Sequence, residues 1–137
     1  MREILFRGKT TKDKEWVYGD LLHDGYDYDV AIWEKKYKLV TEISPKTVGQ
    51  FTGLTDKNGK KIFEGDVVRG RHWTSRYDKS SESFNLWRVD WSEKSGLITF
   101  VDSPTNKARL SIHDFEDFGE VEVIGNIHDN PELLQNK

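Results

Sequence analysis

Apolar and polar residues alternate with a period of two along most of this chain, and that pattern predicts a β protein. Ile4 and Phe6 point one way and Glu3, Leu5 and Arg7 the other, as a half-buried strand requires. Residues 8–14 are polar and turn-like. Trp16, Val17 and Tyr18 then restart an aromatic, β-branched run that ends near Leu22, so the first two strands form a hairpin. Further strands are expected over residues 28–33, 38–43 and 48–54. Ser44-Pro45 breaks the ladder, because proline donates no hydrogen bond, and Pro45-Lys46-Thr47 opens a helical turn or a loop.

Asn58-Gly59 separates two apolar segments and predicts a tight hairpin turn with positive φ at both residues. Ile62 and Phe63 lead into a Glu64-Gly65-Asp66 corner, and Val67, Val68 and Arg69 follow as a short buried strand. The stretch from Gly70 to Ser83 is long, polar and mixed in charge, which fits a surface loop or the extended tip of a hairpin. Residues 84–91 and 97–101 are the clearest strands, joined by a loop over 92–96. Another is expected at 109–113, and residues 120–127 close the sheet. Phe115 and Phe118 lie three apart, as in one helical turn. Trp87 and Trp91 lie four apart, on one side of a strand, and read as core or barrel-face residues. Asp129 or Asn130 is expected to cap a terminal helical turn that has Pro131 at its first position. Helical periodicity never lasts a dozen residues, and strand signals recur every 8–12, so a small antiparallel barrel or twisted sheet with short helical turns is the expected fold.

At 137 residues the chain suits one domain over 1–137, with subdomains at 1–55 and 56–137 as the natural division. There are no cysteines, which removes disulfides, thiolate metal sites and thiol catalysis together. No apolar run approaches the roughly 20 residues needed to span a bilayer, and the charged start reads as a strand of the mature protein, so no membrane partner is expected. Charge is abundant and nearly balanced at −3. Residues 1–69 hold 13 basic and 12 acidic side chains, and residues 70–137 hold 8 and 12. The basic excess typical of dedicated nucleic-acid binders is missing from the composition.

Three segments carry a resemblance. Met1-Arg2-Glu3-Ile4 with Trp16-Val17-Tyr18-Gly19, the run from Thr47 to Asp66, and Val123-Ile124-Gly125-Asn126-Ile127-His128-Asp129-Asn130-Pro131-Glu132-Leu133-Leu134 agree in order with the YopX family of phage and prophage proteins. The chain resembles that family from residue 1 to 134. The resemblance implies a mostly β fold with an SH3-like part, a place in the cytoplasm of an infected bacterial host, and no catalytic mechanism to carry over. Residues 26–43 and 70–83 are the least family-like and are expected to hold member-specific contacts.

Candidate chemistry is thin. Asp20, His23, Asp24, Asp27 and Asp29 surround a turn, but their spacing matches no metal loop, and a solvated cluster is the simpler reading. Asp114, Glu116, Asp117, Glu120 and Glu122 make an acidic run that reads as a solvated rim or a patch for a basic partner. His128-Asp129 suggests a dyad on paper, yet Asn130-Pro131 beside it points to a cap. Serine-nucleophile, phosphate-loop and zinc-pair signatures are missing. The strongest partner-binding candidates are Arg71, Trp73, Arg76 and Tyr77, with His72 and Lys79 between and beyond them, where bases interleave with aromatics. Asp78 and Glu82 dilute that charge, so a protein contact is favoured over nucleic acid.

These readings converge on a non-catalytic accessory protein without catalytic residues, cofactor or metal. It is expected to self-associate and to bind an unidentified host or phage protein. The alternative is a nucleic-acid-binding β module that reads strands through the 70–83 loop.

Overall fold

The structure, a computed structural model, describes residues 3–73, 82–92, 97–103, 109–111 and 121–134, with the backbone alone described at 71–73, 82–85, 92, 97–103, 109–111 and 134. It is mainly β and antiparallel, with isolated 3-10 turns as its helical content among the described residues. The chain forms two compact units, Met1–Gly53 and Leu54–Lys137.

In the first unit β1 (Phe6–Lys9), β2 (Trp16–His23), β3 (Val30–Glu34) and β4 (Leu39–Glu42) follow one another as a meander, and β5 (Gly49–Thr55) begins on the far side of β1. The order is β4-β3-β2-β1-β5. Thr10 organises the first hairpin loop, its Oγ1 accepting from the N–H groups of Asp13 (3.1 Å) and Glu15 (3.2 Å). A single antiparallel bridge, Thr10 to Ile43, brings the end of β1 to the chain just after β4, so the meander curls without closing. The 3-10 turn Pro45–Thr47 fills the break made by the proline. Thr47 ties this turn to β1, accepting from Lys9 N–H at 2.9 Å and donating to the Ser44 carbonyl at 2.7 Å. Ala31, Ile32, Ile43 and Phe51 are buried. Gly19 has no room for a side chain: a Cβ there would lie 2.0 Å from the Trp33 carbonyl oxygen.

The second unit starts inside β5. A hairpin turn leads to β6 (Lys61–Phe63), and β7 (Asp66–Trp73), β8 (Glu82–Ser92), β9 (Leu97–Ser103), β10 (Arg109–Ser111) and β11 (Val121–Asn126) complete it. The five-stranded sheet runs β10-β9-β8-β7-β11, with all pairs antiparallel. β7 and β8 pair from Val67–Arg88 out to Trp73–Glu82, so residues 70–73 and 82–83 of the 70–83 stretch belong to a strand ladder, and its remaining residues lie outside the described ones. The core is Ile62, Val68, Trp87, Val89 and Val121, with Leu54 and Val123 packed on it.

Three expectations change. The antiparallel, mainly β architecture with short helical turns is observed, but the five-stranded sheet ends in the edge strands β10 and β11 and does not close into a barrel. Closure depends on which distant edges meet, and alternation alone does not encode that. The turn at Asn58-Gly59 has positive φ at Gly59 only (81°). Asp56 N–H donates to the Lys60 carbonyl (2.7 Å) and Gly59 N–H to the Asp56 carbonyl (2.9 Å), a three-residue loop with its last residue left-handed. Trp87 is fully buried while Trp91, on the same side of β8, is 50% exposed beyond the end of the core. The helical turn expected around Phe115 and Phe118 lies outside the described residues.

Candidate functional site

The first unit carries an aromatic and basic sheet face. Directly paired residues in an antiparallel ladder point to the same side. β1 and β2 pair Arg7 with Tyr18 and Lys9 with Trp16, so these four side chains share one face. The Arg7 guanidinium carbon lies 4.5 Å from the centre of the Trp16 ring, and Lys9 Nζ lies 5.7 Å from it. Both distances fall within the range where a cation is attracted to the ring face. Arg7 is buried against this stack, whereas Tyr18 stays 46% exposed.

The same face continues across the meander. β2 and β3 pair Asp20 with Trp33, and β3 and β4 pair Trp33 with Val40 and Ala31 with Glu42. Period-two alternation brings Asp20 to the side of Tyr18 and Trp16. The result is a row of Trp16, Tyr18, Trp33 and Val40 bordered by Arg7 and Lys9 at one end and Asp20 and Glu42 toward the other. Aromatic side chains with arginine, partly exposed and edged by charge, are the composition of contact hot spots. They offer stacking, apolar contact and ion pairing to a macromolecule.

The sequence contained a signal for this face. Arg7/Lys9 and Trp16/Tyr18 are both spaced by two, so each pair shares a strand face. What alternation lacked was the register that lays one pair over the other. Alternation placed Arg7 on the strand side opposite Ile4 and Phe6, and the structure buries it under Trp16, where a flat, weakly hydrated guanidinium stacks well.

The other candidates resolve into structure or fall outside the description. Arg71, His72 and Trp73 lie on β7 with their backbones opposite Phe84, Ser83 and Glu82. Arg76, Tyr77 and Lys79 lie outside the described residues, as do Asp114, Glu116, Asp117 and Glu120. Glu122 is on β11, 3.9 Å from Lys57 Nζ at a wet surface where such pairs contribute little. Among the described residues no three of His, Asp and Glu come together in a metal-holding group, the cluster around Gly25 included. His128-Asp129 belongs to a turn: Asn126 Oδ1 accepts from both backbone N–H groups at 2.9 Å, and Asn126 Nδ2 donates to Asp129 Oδ2 at 3.2 Å. The 3-10 turn Pro131–Leu134 follows, with Asn130 Oδ1 accepting from Asn126 N–H at 3.2 Å.

One buried carboxylate was invisible in the sequence. Asp56 Oδ1 accepts from the N–H groups of Asn58 (2.8 Å) and Lys60 (2.9 Å), and its Oδ2 accepts from Val123 N–H (3.0 Å) on β11. Burial raises its pKa, but the hydrogen bonds from Val123, Lys60 and Asn58 and the Lys60 charge outweigh that and hold it below 3.8. Three backbone donors mark it as a structural clamp rather than an acid–base group. No helix among the described residues is long and apolar enough to cross a membrane.

Comparison with known proteins adds two findings. A family model described as YopX protein matches residues 5–135. The crystal structure of protein EF1440 from Enterococcus faecalis is similar, with a TM-score of 0.62 and 24% identity over 98% of this chain and 100% of that one, which is a likeness of fold. No curated protein matches the chain.

Proposed function

The chain belongs to the YopX family, and from that premise we propose that it is a non-catalytic accessory protein that works by self-association and by binding another protein through the aromatic face of its first unit. The observation that carries this reading is the Arg7–Trp16–Lys9 stack beside the exposed Tyr18. A sheet face normally buries its tryptophans or surrounds them with polar residues. Here two cations order a tryptophan at the surface, and an ordered aromatic loses little conformational entropy when a partner covers it. The resemblance to phage and prophage proteins supports a site of action in the cytoplasm of an infected bacterium, with a host or phage protein as the partner.

A second reading has one observation in its favour. Cations beside exposed aromatics also suit a single nucleic-acid strand, and the sequence from Gly70 to Ser83 carries more of the same residue types. The two readings differ in salt dependence, which is steep for phosphate contacts.

The test is capture from infected cells with wild-type protein and with Tyr18→Glu, a substitution at an exposed position that leaves the core intact. We expect a discrete protein to be retained by the wild type and its yield to fall at least about tenfold with Tyr18→Glu, as loss of an interface aromatic costs about 2 kcal/mol. Equal yields would reject the face. Salt-sensitive retention of oligonucleotides, with no protein retained, would favour the second reading.

A further inference from the structure

Asn58-Gly59 carries a chemistry that the candidate face does not use. An asparagine followed by glycine is the pair whose backbone most readily attacks its own side chain, because glycine has no Cβ to block the approach. The chain holds a single pair of this kind. Both residues are exposed, and a Cβ at Gly59 would meet nothing within 4 Å, so water reaches the turn freely.

The reaction needs only water. The Gly59 amide nitrogen gives its proton to water or hydroxide and attacks Asn58 Cγ. A C–N bond forms, Nδ2 leaves as ammonia, and a succinimide ring closes. Water then opens the ring at either carbonyl, leaving aspartate or isoaspartate. Water is consumed and ammonia released in equal amounts, with no change of oxidation state.

The turn restrains the attacking nitrogen. Gly59 N–H donates to the Asp56 carbonyl at 2.9 Å, so the proton that must leave is already held. Asp56 Oδ1 accepts from Asn58 N–H at 2.8 Å and from Lys60 N–H at 2.9 Å, on either side of the reacting peptide bond. Its Oδ2 accepts from Val123 N–H at 3.0 Å, and Lys57 N–H donates to the Val121 carbonyl at 2.9 Å, so the whole turn is anchored to β11. Ring closure has to free the Gly59 N–H and turn the backbone at Asn58, so these bonds must open first.

We infer that Asn58 is a self-modification site gated by the Asp56 carboxylate, shut while the carboxylate holds its backbone donors and open when it releases them. The product acts back on the gate. Isoaspartate inserts a methylene into the main chain between Asn58 Cα and Gly59 N, and therefore between the two N–H groups that Oδ1 bridges. Either product also places a new carboxylate beside that of Asp56, and like charges so close oppose each other. Conversion loosens the hold on β11, and because ammonia is lost it does not reverse. The modified fraction thus records how often the turn has opened.

The test holds the full chain in mildly alkaline buffer, folded and in denaturing urea. Conversion at Asn58 is followed by peptide mapping with mass spectrometry, and isoaspartate is scored by labelling with an isoaspartyl methyltransferase. Folded wild type should convert at least about tenfold more slowly than the unfolded chain, and Asp56→Ala should recover most of that factor with its circular dichroism retained. Asp56→Asn, which keeps one acceptor oxygen, repeats the comparison if the alanine variant unfolds. Asn58→Gln, whose ring would need a further atom, should abolish labelling at this position. Hydrogen exchange gives a reading that needs no variant, since the same opening should limit the Gly59 N–H of the wild type. Folded wild type converting as fast as the unfolded chain, or folded Asp56 variants converting as slowly as wild type, would overturn the gate. An Asn58 that stays intact in urea would overturn the site itself.

Discussion

Trp87→Ala is expected to destabilise the second unit by about 3–5 kcal/mol, the usual cost of removing a large aromatic from a packed core. Trp87 is 0% exposed and sits mid-strand on β8, opposite Val68 on β7 and Asp102 on β9. Its indole fills the space between Ile62, Val68, Val89 and Val121. Alanine leaves a cavity that strands held by neighbours on both sides cannot collapse to fill. Trp91→Ala makes the control. Trp91 lies on the same side of β8 two residues beyond Val89 and is half exposed, so its loss should cost about 1 kcal/mol or less. Urea unfolding followed by far-ultraviolet circular dichroism separates the two, since a midpoint shift that is large for Trp87→Ala and small for Trp91→Ala is required. Equal shifts would mean that the core extends along β8 beyond Val89.

The second large effect belongs to Asp56 and depends on pH. Its carboxylate holds three backbone N–H groups, two within the hairpin and one on β11, a strand 67 residues away in sequence. Asp56→Ala orphans all three in a buried setting and should cost about 3 kcal/mol. The folded pKa is held below the ordinary value of 3.8, so the ionised form is favoured in the folded state. That contribution is complete above about pH 3.8 and is lost as pH falls through the lowered folded value. Asp56→Asn keeps an acceptor oxygen but aims an amide N–H₂ group at a donor, so it removes both the charge and the titration. The stability gap between wild type and Asp56→Asn should be widest near neutrality and narrow steadily below pH 3.8. A gap that stays constant down the acid range would show that the carboxylate does not gain its stability from those bonds.

Much of the fold was legible because turns and alternation are local. The Glu64-Gly65-Asp66 corner is a case: Gly65 has φ of 91°, and Asp66 Oδ2 accepts from Phe63 N–H at 2.8 Å, all within four residues. Ser44-Pro45 and Pro131 marked their 3-10 turns for the same reason. What failed was non-local or depended on a side chain bonding its own backbone. Asn58 does not need positive φ once the Asp56 carboxylate accepts from Asn58 and Lys60 and reshapes the loop. The value of Asp56 to β11 cannot be seen without the pairing that brings Val123 to it. The candidate face was half legible, as two period-two pairs, but only the β1–β2 register reveals that Arg7 and Lys9 meet Trp16. The interleaved bases and aromatics of Arg71, Trp73, Arg76 and Tyr77 drew attention because they are contiguous, and contiguity is the one kind of neighbourhood a sequence displays.

The Arg7–Trp16–Tyr18 face is proposed to meet a protein. Photo-crosslinking from position 18 in infected cells reads that contact most directly, with a benzoylphenylalanine replacing Tyr18 and, as control, replacing Lys60 on the exposed side of the hairpin turn. One discrete protein adduct is expected from position 18 and is expected to be missing from position 60. Identical adduct patterns from the two positions, or none from position 18, would contradict it.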